Sequence, residues 1–92
     1  MAHCPYEQLA DLSAVLAVLR ALPGITEKKP GIFYWRSKGF AHFHIKNGQR
    51  WADVRDGADW GTPLDLPPGS DSLIQQAVCN EISARWARTT GK

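Results

Sequence analysis

No apolar run among these 92 residues approaches the roughly 18 needed to cross a bilayer. The opening Met-Ala-His-Cys-Pro-Tyr-Glu has neither the basic nor the apolar region of a signal peptide. A soluble protein without membrane attachment, resident in the cytoplasm, is the expectation. Cysteine is scarce: Cys4 and Cys79 lie far apart and belong to no CxxC pair, which argues against a zinc ribbon or a redox motif and leaves two free thiols. There is no Gly-rich phosphate loop, no GxSxG elbow and no nucleophile beside a base, so covalent catalysis has nothing to work with. Internal repeats, low-complexity tracts and any second compositional zone are missing too, and residues 1–92 read as a single domain.

What is present is ordinary for a globular chain. A hydrophobic share of 43% beside a charged share of 22% excludes disorder and collagen-like structure. The net charge of +2 is unevenly distributed. Residues 28–55 hold seven basic side chains against Asp53 alone, a local charge of +6, whereas the remainder carries four basic against eight acidic, or −4. The middle of the chain therefore attracts anions, although several of its basic residues sit in or beside turns, where they serve solubility.

That middle, residues 31–55, is where apolar and polar residues alternate through two turn signals in succession. Asn47-Gly48 supplies the two positive φ angles of a type I′ hairpin. It sets Lys46 opposite Gln49, Ile45 opposite Arg50, His44 opposite Trp51, Phe43 opposite Ala52, His42 opposite Asp53 and Ala41 opposite Val54. Ser37-Lys38-Gly39 suits a three-residue turn closed by a left-handed glycine, which pairs Arg36 with Phe40, Trp35 with Ala41, Tyr34 with His42 and Phe33 with Phe43. One face then collects Phe33, Trp35, Ala41, Phe43, Ile45, Ala52 and Val54 for the core. The other holds Ile32, Tyr34, Arg36, Phe40, His42, His44, Trp51, Asp53 and Arg55, with Tyr34, His42 and Asp53 in one row.

On either side lie helices. Leu9, Leu12, Val15, Leu16, Leu19 and Leu22 recur at steps of three and four and predict an amphipathic helix over residues 5–22, begun at Pro5 and stopped by Pro23-Gly24. Ile25 and Thr26 can begin a short edge segment that Pro30 keeps from being central. Residues 56–69 contain three prolines and three glycines and predict a long ordered loop without regular structure, whose Trp60, Leu64 and Leu66 need burial. A second helix over residues 72–88 has Ser70, Asp71 or Ser72 as cap and Leu73, Ile74, Ala77, Val78, Ile82 and Trp86 as its inner stripe. Residues 89–92 should fray. The expected fold is α+β, a two-layer sandwich in the order α-β-β-β-α, with a three-stranded antiparallel meander and both helices on one face.

The face left open carries the functional candidates Tyr34, Arg36, His42, His44, Trp51, Asp53 and Arg55, with Trp60 in the loop beside it. His42-x-His44 plus Asp53 is a donor set that zinc or iron can use, yet a cross-strand His42–Asp53 pair needs no ion, and the sequence assigns no cofactor. Tyr34, His42 and Asp53 also have the makings of an acid/base relay. Aromatics interleaved with arginine suit stacking on bases, but the modest net charge and the lack of an RNP-type motif speak against nucleic acid. The same side chains are what an interface prefers, so the face can equally form a homodimer.

Pro23-Gly24-Ile25, Ala41-His42-Phe43-His44 and Ala52-Asp53, within residues 23–56, resemble the small bacterial proteins grouped as a luciferase-domain family. The family label suggests light emission, but its small bacterial members have no established reaction. The resemblance implies a domain in which His42, His44 and Asp53 matter. From the residues, the expectation is a domain that binds a small polar or anionic ligand on its open sheet face, with self-association or metal-dependent or acid/base catalysis as the alternatives.

Overall fold

The computed structural model describes residues 4–91. They form an α+β fold: a six-stranded antiparallel sheet and two α-helices. After a 3-10 turn at Tyr6–Leu9 come helix α1 (Ser13–Ala21), strands β1 (Ile25–Lys29), β2 (Ile32–Trp35), β3 (Lys38–Lys46), β4 (Gln49–Asp56), β5 (Asp59–Trp60) and β6 (Leu64–Asp65), and helix α2 (Ser72–Thr90). The strands lie in the order β1-β2-β3-β4-β5, with β6 also on β4. No helix among the described residues is long and apolar enough to cross a membrane.

The Asn-Gly hairpin forms as its chemistry dictates. Asn47 and Gly48 take φ of 53° and 78°, and all six β3–β4 pairs from Ala41↔Val54 to Lys46↔Gln49 are those the turn predicts. The preceding hairpin differs. Its loop is Arg36-Ser37, closed by Arg36 at φ 60°, so Trp35 pairs with Lys38, Tyr34 with Gly39 and Phe33 with Ala41. A bulge takes up the extra residue, Phe40, and turns it into the core, where it is fully buried beside Ala41. Phe40 therefore leaves the outer face, and Tyr34 does not stand opposite His42.

The sheet is also larger than a three-stranded meander. Ile25–Lys29 is a full edge strand on β2, and the proline-rich segment supplies two short strands. Backbone groups at the free edge of β4 recruit them: Trp60 pairs with Arg55, Leu64 with Ala52 and Asp65 with Trp51, while the Leu66 amide bonds the Arg50 carbonyl. Prolines at 63, 67 and 68 fall outside the two strands rather than within them.

The first helix is not continuous from residue 5. The Gln8 carbonyl, which would accept the Leu12 amide in an α-helix, accepts instead from Arg50 Nη1 at 2.6 Å, and the Leu12 amide turns back to Leu9. Leu9, Leu12, Val15, Leu16 and Leu19 still form one buried stripe. In α2 the inner face is rotated from the one expected: Gln75, Val78, Cys79, Ile82 and Arg85 are buried, whereas Leu73 is 80% exposed and Ile74 and Ala77 also face out. Two polar side chains set this rotation, since Gln75 donates to the Asp11 and Ser70 carbonyls and Arg85 to the Val54 carbonyl. Asp71 is the cap, accepting from the Ile74 amide, and Gly91 ends the helix in the left-handed conformation, so Thr89 and Thr90 belong to it. The core is one buried cluster that gathers Phe33, Phe40, Ala41, Phe43, Ala52 and Val54 of the sheet with Leu66 and with residues of both helices. Cys4 and Cys79 are free thiols, both raised in pKa by burial.

Arg50 is the least expected core residue. Only 3% exposed, it donates to the Leu66, Gln8 and Pro67 carbonyls and, in bidentate fashion at 2.8 Å, to Asp11. Arg50→Leu strands this carboxylate and these carbonyls and should cost about 3–5 kcal/mol in chemical denaturation. The Arg50 guanidinium also holds the Asp11 carboxyl down at about 2, against an ordinary 3.8. A depressed carboxyl stabilises the fold fully above its unfolded value and ceases to do so as pH falls through the folded one. The carboxylate is about a third exposed, so screening leaves about 1 kcal/mol. Unfolding titrations should show the advantage of the wild type over Asp11→Asn shrinking between about pH 4 and pH 2.

Candidate functional site

The site grows from the phase of β3 and β4. Residues two apart on a strand share a face, so His42 and His44 project together, and the hairpin register adds Trp51, Asp53 and Arg55 to the same side. This outer face lies opposite Phe43, Ala52 and Val54, which are buried in the core. Trp60 joins it because β5 pairs Trp60 with Arg55.

Four rings form a continuous row across this surface. Trp60 meets His42 edge-on at 4.7 Å between centroids, His42 meets His44 nearly perpendicular at 4.6 Å, and His44 stacks on Trp51 at 5.4 Å with 25° between planes. Asp53 lies across from His42 in register, but its carboxylate reaches along the diagonal: Oδ2 is 2.9 Å from His44 Nε2. Sheet twist shortens one diagonal of each cross-strand square, and that is the His44–Asp53 one here. The expected histidine–aspartate pair thus forms with the other histidine. His44 is 8% exposed and Asp53 half-buried, so the pair is shielded from bulk water.

Trp60 turns a flat sheet into a concave one. Its ring stands over Gly39, where an added Cβ would come within 3.1 Å of the indole, so the close approach needs a residue without a side chain. Arg55 fixes the rim, donating to the Gly39 and Ala58 carbonyls at 2.7 Å each while its guanidinium lies 5.1 Å from the Trp60 ring centre. Beneath lies a hollow of about 480 Å³ lined by Ile32, Tyr34, Ser37, Gly39, His42, Arg55 and Trp60 among others. Tyr34 forms the opposite wall, with Lys28 Nζ 4.6 Å above its ring.

Of the eight binding candidates, His42, His44, Trp51, Asp53, Arg55 and Trp60 are gathered in one cluster, and Tyr34 reaches it through the hollow rather than through strand pairing. Arg36 is not part of it. The two-residue turn sends its guanidinium over Trp35, at 4.6 Å, beside a separate depression with Pro23 and Trp86. Sequence reasoning missed Gly39, Ser37 and Lys28. Only the bulge, which a glycine two residues beyond a turn can signal, would have pointed to Gly39.

Comparison with protein families, with curated proteins and with solved structures returns no match. The site is therefore assigned on geometry alone. Because Trp60 is 43% exposed, Trp60→Ala should cost about 1–3 kcal/mol, leaving the chain folded while uncovering His42. Carbethoxylation of His42, followed by mass spectrometry, should accelerate several-fold in that variant; an unchanged rate would show that the indole does not shield the ring.

Proposed function

We propose that this domain binds a small polar or anionic molecule in the hollow between Tyr34 and Trp60, taking it as a two-layer sandwich whose helices cover only the inner sheet face. The observation that carries the reading is the indole of Trp60 standing against His42 and over Gly39, which walls off a concave site on a sheet face that would otherwise be flat. Two aromatic walls suit a planar apolar body. At the rim and floor, Arg55, Ser37, His42 and the Tyr34 hydroxyl suit a compact polar or negatively charged head. Local charge favours the same sign, since Lys28 and Arg55 flank the hollow and belong to the basic middle of the chain.

Self-association through this face has less in its favour. The fully buried Phe40 is withdrawn from it, and the two most exposed large apolar side chains on α2, Leu73 and Ile74, belong to a different element.

Benzoate and inorganic phosphate are simple probes of the two halves of the hollow. In NMR titrations of the metal-free protein, benzoate should shift the amides of residues 34, 39, 42 and 60 saturably with a Kd of about 1 mM or below, and Trp60→Ala should weaken it at least about tenfold. No saturable shift by about 10 mM from either probe would remove the reading. A dimer by light scattering that Trp51→Ala dissociates would assign the face to a second copy of the chain.

A further inference from the structure

We infer that His42, His44 and Asp53 form a binding site for a divalent transition-metal ion, Zn²⁺ or Fe²⁺ in class, beside the hollow that His42 lines. The three residues each offer one ligand atom, and these atoms all lie within 4.8 Å of one another. Donors about 2.0–2.2 Å from a shared ion lie no more than about 4.4 Å apart, so the side chains reach a common centre by sub-ångström movements. One edge of that polyhedron is already short, the 2.9 Å between His44 Nε2 and Asp53 Oδ2.

The support for these donors is rigid. All three come from β3 and β4, whose register the Asn47-Gly48 turn fixes, so their spacing is set by backbone rather than by loop conformation. The His42 and His44 rings stand 80° apart, which lets nitrogens of both approach one point without the rings overlapping. Trp60 against His42 and Trp51 against His44 limit ring rotation and keep the surroundings apolar. Two imidazoles and one carboxylate are a borderline donor set, matched to zinc or iron and mismatched to magnesium or calcium, which favour oxygen.

Three donors, the number found among the described residues, are a set to which a small oxygen donor can be added. His42 is the link, because it is both a member of the triad and part of the wall of the hollow. The site thereby deepens the ligand-binding reading: the molecule in the hollow would present a carboxylate or phosphate oxygen to the ion. Only this last step rests on that reading, since metal binding itself is measurable without any organic ligand.

The test is calorimetric titration of Zn²⁺ into protein stripped with chelator, with Co²⁺ as a spectroscopic substitute. The expected result is one ion per chain with a Kd of about 1 µM or tighter, and Co²⁺ absorption bands of a site with nitrogen and oxygen donors. Asp53→Asn and His42→Gln should each weaken Zn²⁺ at least about tenfold, and Cys4→Ser should leave it unchanged. His44 is buried, so should His44→Ala fail to fold, the half-buried Asp53 and His42 carry the test. Lack of saturable Zn²⁺ binding by about 100 µM would overturn the inference, as would affinity retained in the Asp53→Asn/His42→Gln double variant or lost in Cys4→Ser. Benzoate binding without Zn²⁺ binding would remove the metal and keep the hollow; the reverse would keep the metal and remove the hollow.

Discussion

A single buried guanidinium holds together parts of the chain that would otherwise have no reason to meet. Arg50 leaves the start of β4 on the core side, opposite Ile45, and its five hydrogen bonds end on the N-terminal 3-10 turn, on Asp11 and on the segment after β6. Asp11 passes the connection on, accepting from the Gly69 amide through its side chain and from Gln75 through its carbonyl, at the entry to α2. A buried arginine is costly unless every donor is satisfied, and the planar fork of the guanidinium allows that at one point. The break before α1 and the path of the proline-rich segment follow from satisfying this one charge, and through the Asp11 carbonyl it reaches Gln75, one of the two side chains that set the rotation of α2.

A second arginine does similar work at the other end of β4. Arg85 donates to the Val54 carbonyl and pairs with Glu81, and the same carbonyl accepts the Gly61 amide. A Cβ at Gly61 would lie 2.5 Å from Arg85 Nη1, so the chain passes the guanidinium at a distance that only glycine permits. Arg88 adds an exposed pair with Asp56, where the turn into β5 begins. Trp60 sits one residue before Gly61. Its position over the outer face is therefore held by contacts on the opposite side of the sheet.

These two anchors explain why the candidate site is concave. Strand pairing alone yields a row of side chains on a twisted surface; a wall needs a segment brought back across it. β5 provides that wall by pairing with the free edge of β4, and the Phe40 bulge provides the clearance by leaving Gly39 beneath the indole. The imidazoles, the carboxylate and the two indoles then lie together on one face, where the proposed polar head or ion would exchange part of its hydration for fixed donors.

The amino-acid sequence determined whatever depends on neighbours along the chain or across a two-residue turn. Asn47-Gly48 has one low-energy hairpin geometry, so the β3–β4 register and the common face of His42, His44 and Asp53 were legible; so were the leucine stripe of the first helical segment and the Asp71 cap as one of three candidates. Only tertiary structure decided the rest. The Arg36-Ser37 turn forms although Arg36 must adopt a positive φ, because the bulge lets Phe40 be buried, and no local rule weighs that gain. The short strands β5 and β6 arise because β4 has unpaired backbone groups to offer, not because of their own propensity. The buried roles of Arg50, Gln75 and Arg85 depend on carbonyls that the folded chain brings within reach from distant positions, and a side chain's partners across such separations are set by packing rather than by spacing.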